Sequence, residues 1–525
     1  MSITMEISDF RSIADLVREH ALATPSGRAL VDDDDALTYA ELDRLMDRVA
    51  SALQRDQINP GKSIVLAGRN SVWLAAVFLG ALRAGVVVVP LATGVTAQSF
   101  ESMLRDSEAR LLFVDESAIP CVPANARTRC ISLATELCGL PLAVWLSDEE
   151  TTPSRVEIKP DWPFNIIYSS GTTGAPKGIV QPHRMRWLHV CRGARYGYGA
   201  ESITLVSTPL YSNTTLVVFF PTIAFGGMVF LMKKFDARQY LQLAQQWRVT
   251  HSMLVPVQYQ RILANSDFDE YDLASFQVKF CTSAPFSAAL KADVLRRWPG
   301  SLVEFYGMTE GGGTCILEAH LHPDKLHTVG KPSDGHDIRL IDEEGQCALP
   351  GVPGEVVGHS PATMIGYHGQ PALTGAAEWF DETGKRFIRT GDIGRFDDDG
   401  FLILLDRKKD LIISGGFNIY PCDLEAILLK HPSVAEVAVV GVASERWGET
   451  PVAFVVLSQN GATENGLSAP QLAMAADLLS WANAQLGKTQ RLADLRLLAE
   501  LPRSPIGKVL KRELRDRYPM HFALG

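Results

Sequence analysis

Through the first half of the chain, short apolar runs alternate with stretches of helical periodicity, and this rhythm restricts the possible folds more than any other feature. The runs "SIVLAG" (63–68), "VVVVP" (86–90) and "ARLLFVD" (109–115) read as buried strands. Around them, "LTYAELDRLMDRVASALQRD" (37–56) carries apolar residues at helical spacing, and "SVWLAAVFLGALRAG" (71–85) reads as a helix stopped by Gly85. A βαβα alternation of this kind predicts a layered α/β domain with a largely parallel sheet. The pattern continues through "ESITLVSTPLYSN" and "THSMLVPVQYQRIL".

From about residue 335 the texture changes. "HDIRLIDEEGQ", "PGEVVGHSP" and "GFLILLDRKKDLIIS" are short strands joined by Gly- and Asp-rich turns, which suggests a β-rich subdomain. Beyond about residue 407 a compact α+β unit follows: a helix (423–430), strands "VAEVAVVGV" and "TPVAFVVLS", a helix "PQLAMAADLLSWANAQL" and a basic tail. The boundary is expected at Arg407–Lys409, in the charged turn "DRKKD", giving domains 1–406 and 407–525. A chain of 525 residues is too long for a single core, so two or more domains are required.

Composition removes some classes of function. The formal net charge of -10 disfavours nucleic acid and anionic membranes as partners, while leaving room for a local phosphate pocket. The acidic run Asp32–Asp35 is expected to be a solvated turn. Eight scattered cysteines with no CxxC pair suit reduced thiols in a cytoplasmic protein. The N-terminal "MSITMEISDFRSIADLV" has early acids and no long apolar run, unlike a signal peptide. The window "TLVVFFPTIAFGGMVFLM" (215–232) is long enough to span a membrane, but Pro221, Gly226 and Gly227 interrupt it and "KKFD" follows. A buried helix followed by a buried strand is expected there.

Four stretches carry chemistry. "YSSGTTGAPKGIVQPH" (168–183) crowds Ser169, Ser170, Gly171, Thr172, Thr173, Gly174 and Lys177 together. Glycines let backbone N–H groups approach a ligand, hydroxyls add donors and the lysine adds charge, as a phosphate loop requires. The spacing is not that of a Walker A loop, since Lys177 lies between Pro176 and Gly178. A flexible surface loop is the alternative. "EFYGMTE" (304–310) offers Phe305 and Tyr306 to a flat base or substrate, a hydroxyl at Thr309 and a hard oxygen ligand for Mg²⁺ at Glu310. In "RTGDIGRFDDDGFLILLDRKKDLIISGGFNIYP" (389–421), Asp392 suits a ribose diol, Arg407 suits the same sugar or a phosphate, and Gly415 and Gly416 let a thin ligand pass. Two β-hairpins with acidic turns would explain that segment equally well. "LPRSPIGKVLKREL" (501–514) puts Lys508 after Gly507 in a loop before a basic helix.

In this order and spacing the set resembles the adenylate-forming superfamily of acyl-CoA synthetases, peptide-synthetase adenylation domains and luciferases, over nearly the whole chain. The resemblance implies a large N-terminal domain and a small mobile C-terminal lid. It implies activation of a carboxylic acid by ATP to an acyl-adenylate, with release of pyrophosphate, then transfer of the acyl group, usually to the thiol of CoA. By the same resemblance, the 169–177 loop holds the β- and γ-phosphates, Thr309 contacts the α-phosphate and Glu310 ligates Mg²⁺. Ser283, Ala284 and Pro285 flank the adenine, with "TSAP" here where the family more often has "GGAP". The residues Glu304 to Gly307 complete the nucleotide site, Asp392 clasps the ribose with Arg407 nearby, and Gly415–Gly416 belong to the face that swings in after adenylation. Lys508 bridges the attacking carboxylate and the α-phosphate, and the lid turns about Lys409.

The acyl pocket is expected from the family at "PLYSNTTL" (209–216) and "EFYGMTEGGGT", with Arg192 and Arg195 either near it or at the surface. An aromatic, cyclic or medium-length acid would suit it. Trp447 matches an aromatic that some CoA ligases place at the CoA nucleotide. "LGKTQRL" (486–492), however, has Gly487 and Gln490 where many relatives have an aromatic residue and a proline, which removes one stacking surface for CoA. Three readings follow: an acid–CoA ligase, a ligase that passes the acyl group to an amino-acid amine (as in coronafacate ligase) or to a separate carrier protein, and a non-catalytic nucleotide-binding relative. The oligomeric state is left open.

Overall fold

The structure, a computed structural model, describes residues 9–123, 128–133, 138–169, 177–414, 417–458, 469–487, 490–504 and 508–518. By packing, the chain divides into two compact units, Met1–Ile338 with Val357–Ile388, and Arg339–Val356 with Arg389–Gly525.

In the first unit the expected strands and helices assemble into two large sheets. One has eight strands in the order Gly366–Tyr367, Lys177–Pro182, Pro163–Ser169, Val87–Leu91, Ser63–Ala67, Leu111–Val114, Arg129–Ser132, Leu140–Pro141. From Pro163–Ser169 to the far edge the neighbours are parallel. The three runs read from sequence as strands are buried at every strand residue. Beside this sheet, the helix Tyr39–Arg55 starts from a capping box in which Thr38 and Glu41 each satisfy the other's backbone N–H. It buries Leu42, Leu45, Met46, Val49 and Leu53. The helix Val72–Arg83 crosses it so closely that a Cβ on Gly80 would come within 2.6 Å of Val49 Cβ. Glycine costs a helix about 1 kcal/mol relative to alanine, and here it allows the two backbones to approach.

The second sheet has nine strands, in the order Lys331–Pro332, Cys315–Glu318, Ser301–Tyr306, Val278–Cys281, His251–Leu254, Ile203–Val206, Met228–Leu231, Arg28–Val31, Ala36–Thr38. The six strands from Ser301–Tyr306 to Arg28–Val31 are parallel. The apolar window at 215–232 forms the helix Asn213–Ala224 and the buried strand Met228–Leu231, as expected. Among the described residues, no helix is long and apolar enough to cross a membrane. The eight cysteines are free thiols.

The acidic run is not simply a solvated turn. Asp32 is 6% exposed, and its carboxylate accepts from the N–H groups of Asp34, Asp35 and Val72, each at 2.8 Å. Asp35 accepts from Trp73 Nε1 at 2.8 Å. Two of the four acids therefore pin the start of the helix Val72–Arg83, where a carboxylate is favoured by the unpaired N–H groups and the helix dipole.

The second unit contains a five-stranded sheet. Phe417–Ile419, Ile412–Ser414, Gly448–Leu457 and Val434–Ser444 follow in order, with Asp494–Leu497 parallel to Gly448–Leu457. Helices Pro421–Leu428, Ala469–Gln485 and Lys511–Arg517 complete it. Ile412, Leu424, Leu428, Val439, Ala453 and Leu478 form its core. By packing this unit also takes in Arg339–Val356 and the residues from Arg389 onward, where Leu402–Arg407 pairs antiparallel with Arg386–Phe396 just before the charged turn.

Candidate active site

Both sheets of the first unit contain a point where the strand order reverses. The chain leaves Ile203–Val206 for Met228–Leu231 on one side and then His251–Leu254 on the other. In the other sheet it leaves Ser63–Ala67 for Val87–Leu91 and then Leu111–Val114 on the opposite side. Crevices at the carboxyl ends of such strands are where open α/β sheets bind ligands. Asn70, just beyond Ser63–Ala67 and 4% exposed, ties the two together. Its amide donates to the carbonyls of Thr208 (2.9 Å) and Met232 (3.1 Å), and its oxygen accepts from Leu210 N (2.8 Å). The segment "PLYSN" after Ile203–Val206 is thereby fixed at the crevice.

Strands flank the Ser/Thr/Gly-rich stretch on both sides. Pro163–Ser169 and Lys177–Pro182 are antiparallel, with Ser169 opposite Lys177. Ser170, Gly171, Thr172, Thr173 and Gly174 lie outside the described residues. Lys177 Nζ lies 5.7 Å from the ring centre of Tyr367. The Tyr367 hydroxyl donates to Glu310 Oε1 at 2.9 Å, and burial together with that carboxylate raises its pKa, so it remains a donor. One tyrosine thus links the lysine of the first motif to the acid of the second. Gly311 follows Glu310 with φ +76°, where a Cβ would stand 2.0 Å from the carbonyl of Ala362, so only glycine fits that turn.

A buried polar network holds Thr309 from behind. Gln181 Nε2 donates to the carbonyl of Thr309 (2.6 Å) and to Asn213 Oδ1 (3.4 Å). Its oxygen accepts from Asn165 Nδ2 (3.0 Å) and from Arg186. Arg186, fully buried, also donates to Asn213 Oδ1 (2.8 Å), Asn165 Oδ1 (3.2 Å) and His189 Nδ1 (3.5 Å). All of these partners are neutral, and burial pushes the Arg186 pKa down to about 9, which still leaves it charged at neutral pH. Charged-to-neutral hydrogen bonds are among the stronger kind, and the low dielectric makes each of them costly to lose.

Ser283 has φ +82°, a left-handed conformation unusual for a residue with a Cβ. A glycine would adopt that angle without strain, and here Ser283 Oγ and Thr214 Oγ1 pair at 2.5 Å. Thr282 Oγ1 donates to the carbonyl of Phe305 at 2.8 Å, joining "TSAP" to "EFYGMTE". Ala284 and Pro285 follow on the same loop. The Glu304 side chain turns into the body and forms a buried ion pair with Lys291, with its pKa raised to about 7 by burial against the pull of that ammonium. Only its backbone is available to a nucleotide. Phe305 stacks on Phe280 (5.4 Å, 16° between planes), Tyr306 is half-buried and Gly307 is exposed.

In the second unit, Asp392 and Arg407 are direct cross-strand partners, and Arg407 Nε meets Asp392 Oδ1 at 2.7 Å. Within the strand, the carbonyl of Gly391 (φ +69°) accepts from Lys408 N at 2.8 Å. Lys409 is exposed. Trp447 is 48% exposed, with the Arg446 guanidinium 4.8 Å from its ring centre. Lys508 is exposed, and its N–H donates to Ser504 Oγ at 3.2 Å. Gly415 and Gly416 lie outside the described residues. Asn70, Asn165, Gln181, Arg186 and Tyr367 were not legible as site residues in the sequence, since isolated amides and a tyrosine within strands carry no spacing signal.

The chain matches the AMP-binding enzyme family over residues 17–368 and the AMP-binding enzyme C-terminal domain over residues 423–508. It is similar to a fatty acid–[acyl-carrier-protein] ligase, ScoC, of Streptomyces coeruleorubidus, 32% identical over 514 residues that cover 95% of each chain. It is similar to a feruloyl-CoA synthase of an Amycolatopsis species, 32% identical over 95% of this chain and 97% of the relative. Among solved structures it resembles the amide bond synthetase McbA of Marinactinospora thermotolerans, at 25% identity and a TM-score of 0.83, over 96% of this chain and 99% of that one.

Proposed function

The chain belongs to the AMP-binding enzyme family and is an acyl-adenylate-forming ligase, and we propose that it is an acid–CoA ligase in which both half-reactions share one site. In the first, a carboxylate oxygen of the acid attacks the α-phosphorus of ATP. The bond from the α-phosphorus to the bridging oxygen breaks, and pyrophosphate departs with that electron pair. In the second, the CoA thiol adds to the acyl carbonyl, AMP leaves and the thiol proton passes to solvent. The first step needs no general base, because a carboxylate is already ionised at neutral pH.

The roles are those that the resemblance to the adenylate-forming family implies. Lys177 and the 169–177 loop take the β- and γ-phosphates, and Thr309 meets the α-phosphate. Ser283–Pro285 and Tyr306 flank the adenine, and Asp392 with Arg407 takes the ribose. Lys508 neutralises charge that builds between carboxylate and α-phosphate, the place where a preorganised cation contributes most. Glu310, a single carboxylate held by the Tyr367 hydroxyl, suits Mg²⁺, which favours one or two carboxylates plus substrate phosphates. When bound, the ion would supply charge neutralisation on the leaving phosphates. The carboxyl-terminal lid (407–525) turns about Lys409 between half-reactions and exchanges Lys508 for the 414–418 face.

The observation that carries this reading is the convergence of Lys177, Tyr367 and Glu310, with Thr309 anchored by Gln181, beside the strand-order reversal. The test is pyrophosphate release across a panel of carboxylic acids with CoA and then amino acids as acceptors, products read by mass spectrometry. A CoA thioester is expected. An amide or a carrier-bound acyl group without a thioester would replace this reading with the second one, which the altered "LGKTQRL" segment and the likeness to an amide bond synthetase favour.

A further inference from the structure

Arg192 is a cation with no ion-pair partner among the described residues. It lies half-buried near the end of the helix His183–Gly193, with its guanidinium 4.5 Å from the ring centre of Phe305. Phe305 directly precedes Tyr306 in the strand that delivers Thr309 and Glu310, so the guanidinium caps an aromatic at the strand's carboxyl end. Among the described residues it makes no ion pair and no hydrogen bond. The nearby carboxylate Glu318 pairs with Arg195 instead, at 3.5 Å.

Two imidazoles stand within electrostatic reach of it, and both present a donor. His336 Nδ1 accepts from Thr314 N at 2.9 Å, so the ring proton is on Nε2. His189 Nδ1 faces Arg186, which can only donate, at 3.5 Å, so its proton is also on Nε2. Burial and Arg192 lower the pKa of both rings, with Arg186 adding to the effect at His189, and His336 is brought down to about 4, so both are neutral at neutral pH. Neither Nε2–H has an acceptor among the described residues. The cluster therefore offers a guanidinium and two N–H groups; Asp334 near His336 and the Tyr196 and Tyr198 hydroxyls near Arg192 bond to none of them among the described residues. Half-buried donors left without acceptors cost stability, and a planar oxyanion is the group that satisfies them.

We propose that the acid activated by this enzyme carries a second carboxylate at its far end, and that Arg192, His189 and His336 receive it. This rests on the acid-activating reading above and names its substrate class. The reacting carboxylate goes to the α-phosphate beside Thr309, and the other is held across Phe305, so the acid enters in one orientation.

The test uses the full chain, ATP and matched pairs of acids from three to ten carbons, aliphatic and aromatic. Each diacid, such as glutarate, adipate or phthalate, is compared with its monomethyl ester by pyrophosphate release. The wild type is expected to favour one or more diacids over their monoesters by about a hundredfold or more in kcat/KM, since a site built for a polar group rejects analogues that lack it. Arg192→Gln is expected to collapse that ratio mainly through the KM of the diacid, Arg192→Lys to retain part of it, and His336→Phe to lower it about tenfold. Melting curves and ATP binding report folding of each variant. If monoesters or simple monoacids are activated and diacids are not preferred, the proposal fails while the acid-activating reading stands. A diacid preference that survives Arg192→Gln overturns the assignment to this cluster. If no acid of either kind releases pyrophosphate, both readings fall together.

Discussion

Gln181 makes four hydrogen bonds, and they serve two purposes that substitutions can separate. Its oxygen gives the buried Arg186 and Asn165 an acceptor, and its amide holds the Thr309 carbonyl. Gln181→Leu leaves three buried groups without that partner: the Thr309 carbonyl, Asn165 Nδ2 and one arm of Arg186. Each orphaned group costs about 1–3 kcal/mol, so the loss should reach roughly 3–9 kcal/mol. At about 2–4 °C per kcal/mol for domains of 150–250 residues, and somewhat less for this larger unit, melting should fall by roughly 5 °C or more. Gln181→Glu keeps both acceptor contacts and adds an ion pair to Arg186, but it has no donor for Thr309. Its stability should stay within about 2 kcal/mol of the wild type, since one orphaned carbonyl is offset by the new ion pair. Adenylation should nonetheless fall roughly ten- to hundredfold, which corresponds to about 1.4–2.7 kcal/mol of lost transition-state stabilisation. Differential scanning fluorimetry and pyrophosphate release with one fixed acid measure the two effects. A Gln181→Glu enzyme with wild-type kcat/KM would refute the claim that this amide positions Thr309.

Three further outcomes are expected. At Ser283 the left-handed backbone costs about 1–2 kcal/mol for a residue with a Cβ, while the bond to Thr214 returns about 1 kcal/mol. Thermal melts should therefore rank Gly about equal to Ser, then Ala, then Val, and a Val variant as stable as the wild type would refute the strain. His251 is fully buried, with its ring bonded to Thr250 and to the carbonyl of Tyr196, and burial lowers its pKa to about 4. The unfolded chain takes up that proton near pH 6.5, so this contribution is complete above pH 6.5 and is lost as pH falls towards 4, by about 3 kcal/mol in order of magnitude. His251→Gln should flatten the fall in melting temperature over that window, and an unchanged slope would assign it elsewhere. Lys508→Ala should abolish adenylation while sparing transfer from a supplied acyl-adenylate, whereas Lys409→Pro should spare adenylation and stall transfer. Normal adenylation by Lys508→Ala would remove the centre of the proposed mechanism.

Much of this molecule is determined locally and is therefore legible in the sequence. The strands at 63–67, 87–91 and 111–114 announce themselves because a strand buried on both faces needs an unbroken apolar run. The glycines and hydroxyls of 168–183 and the order of the later motifs are short local words in the chain, and they carried the resemblance to the family that the chain matches. Tertiary structure decided what depends on partners distant in sequence. Asp32 and Asp35 pin a helix instead of meeting solvent because Val72 and Trp73 come to them. Glu304, inside a recognisable motif, turns away to Lys291. Tyr367, Gln181 and Arg186 acquire their roles from neighbours distant in sequence, as in the bond from Gln181 to Thr309, 128 residues away. A hydrogen bond depends on distance and direction in space, and a lone amide or guanidinium leaves no periodicity behind, so only the folded chain could show which of them the site uses.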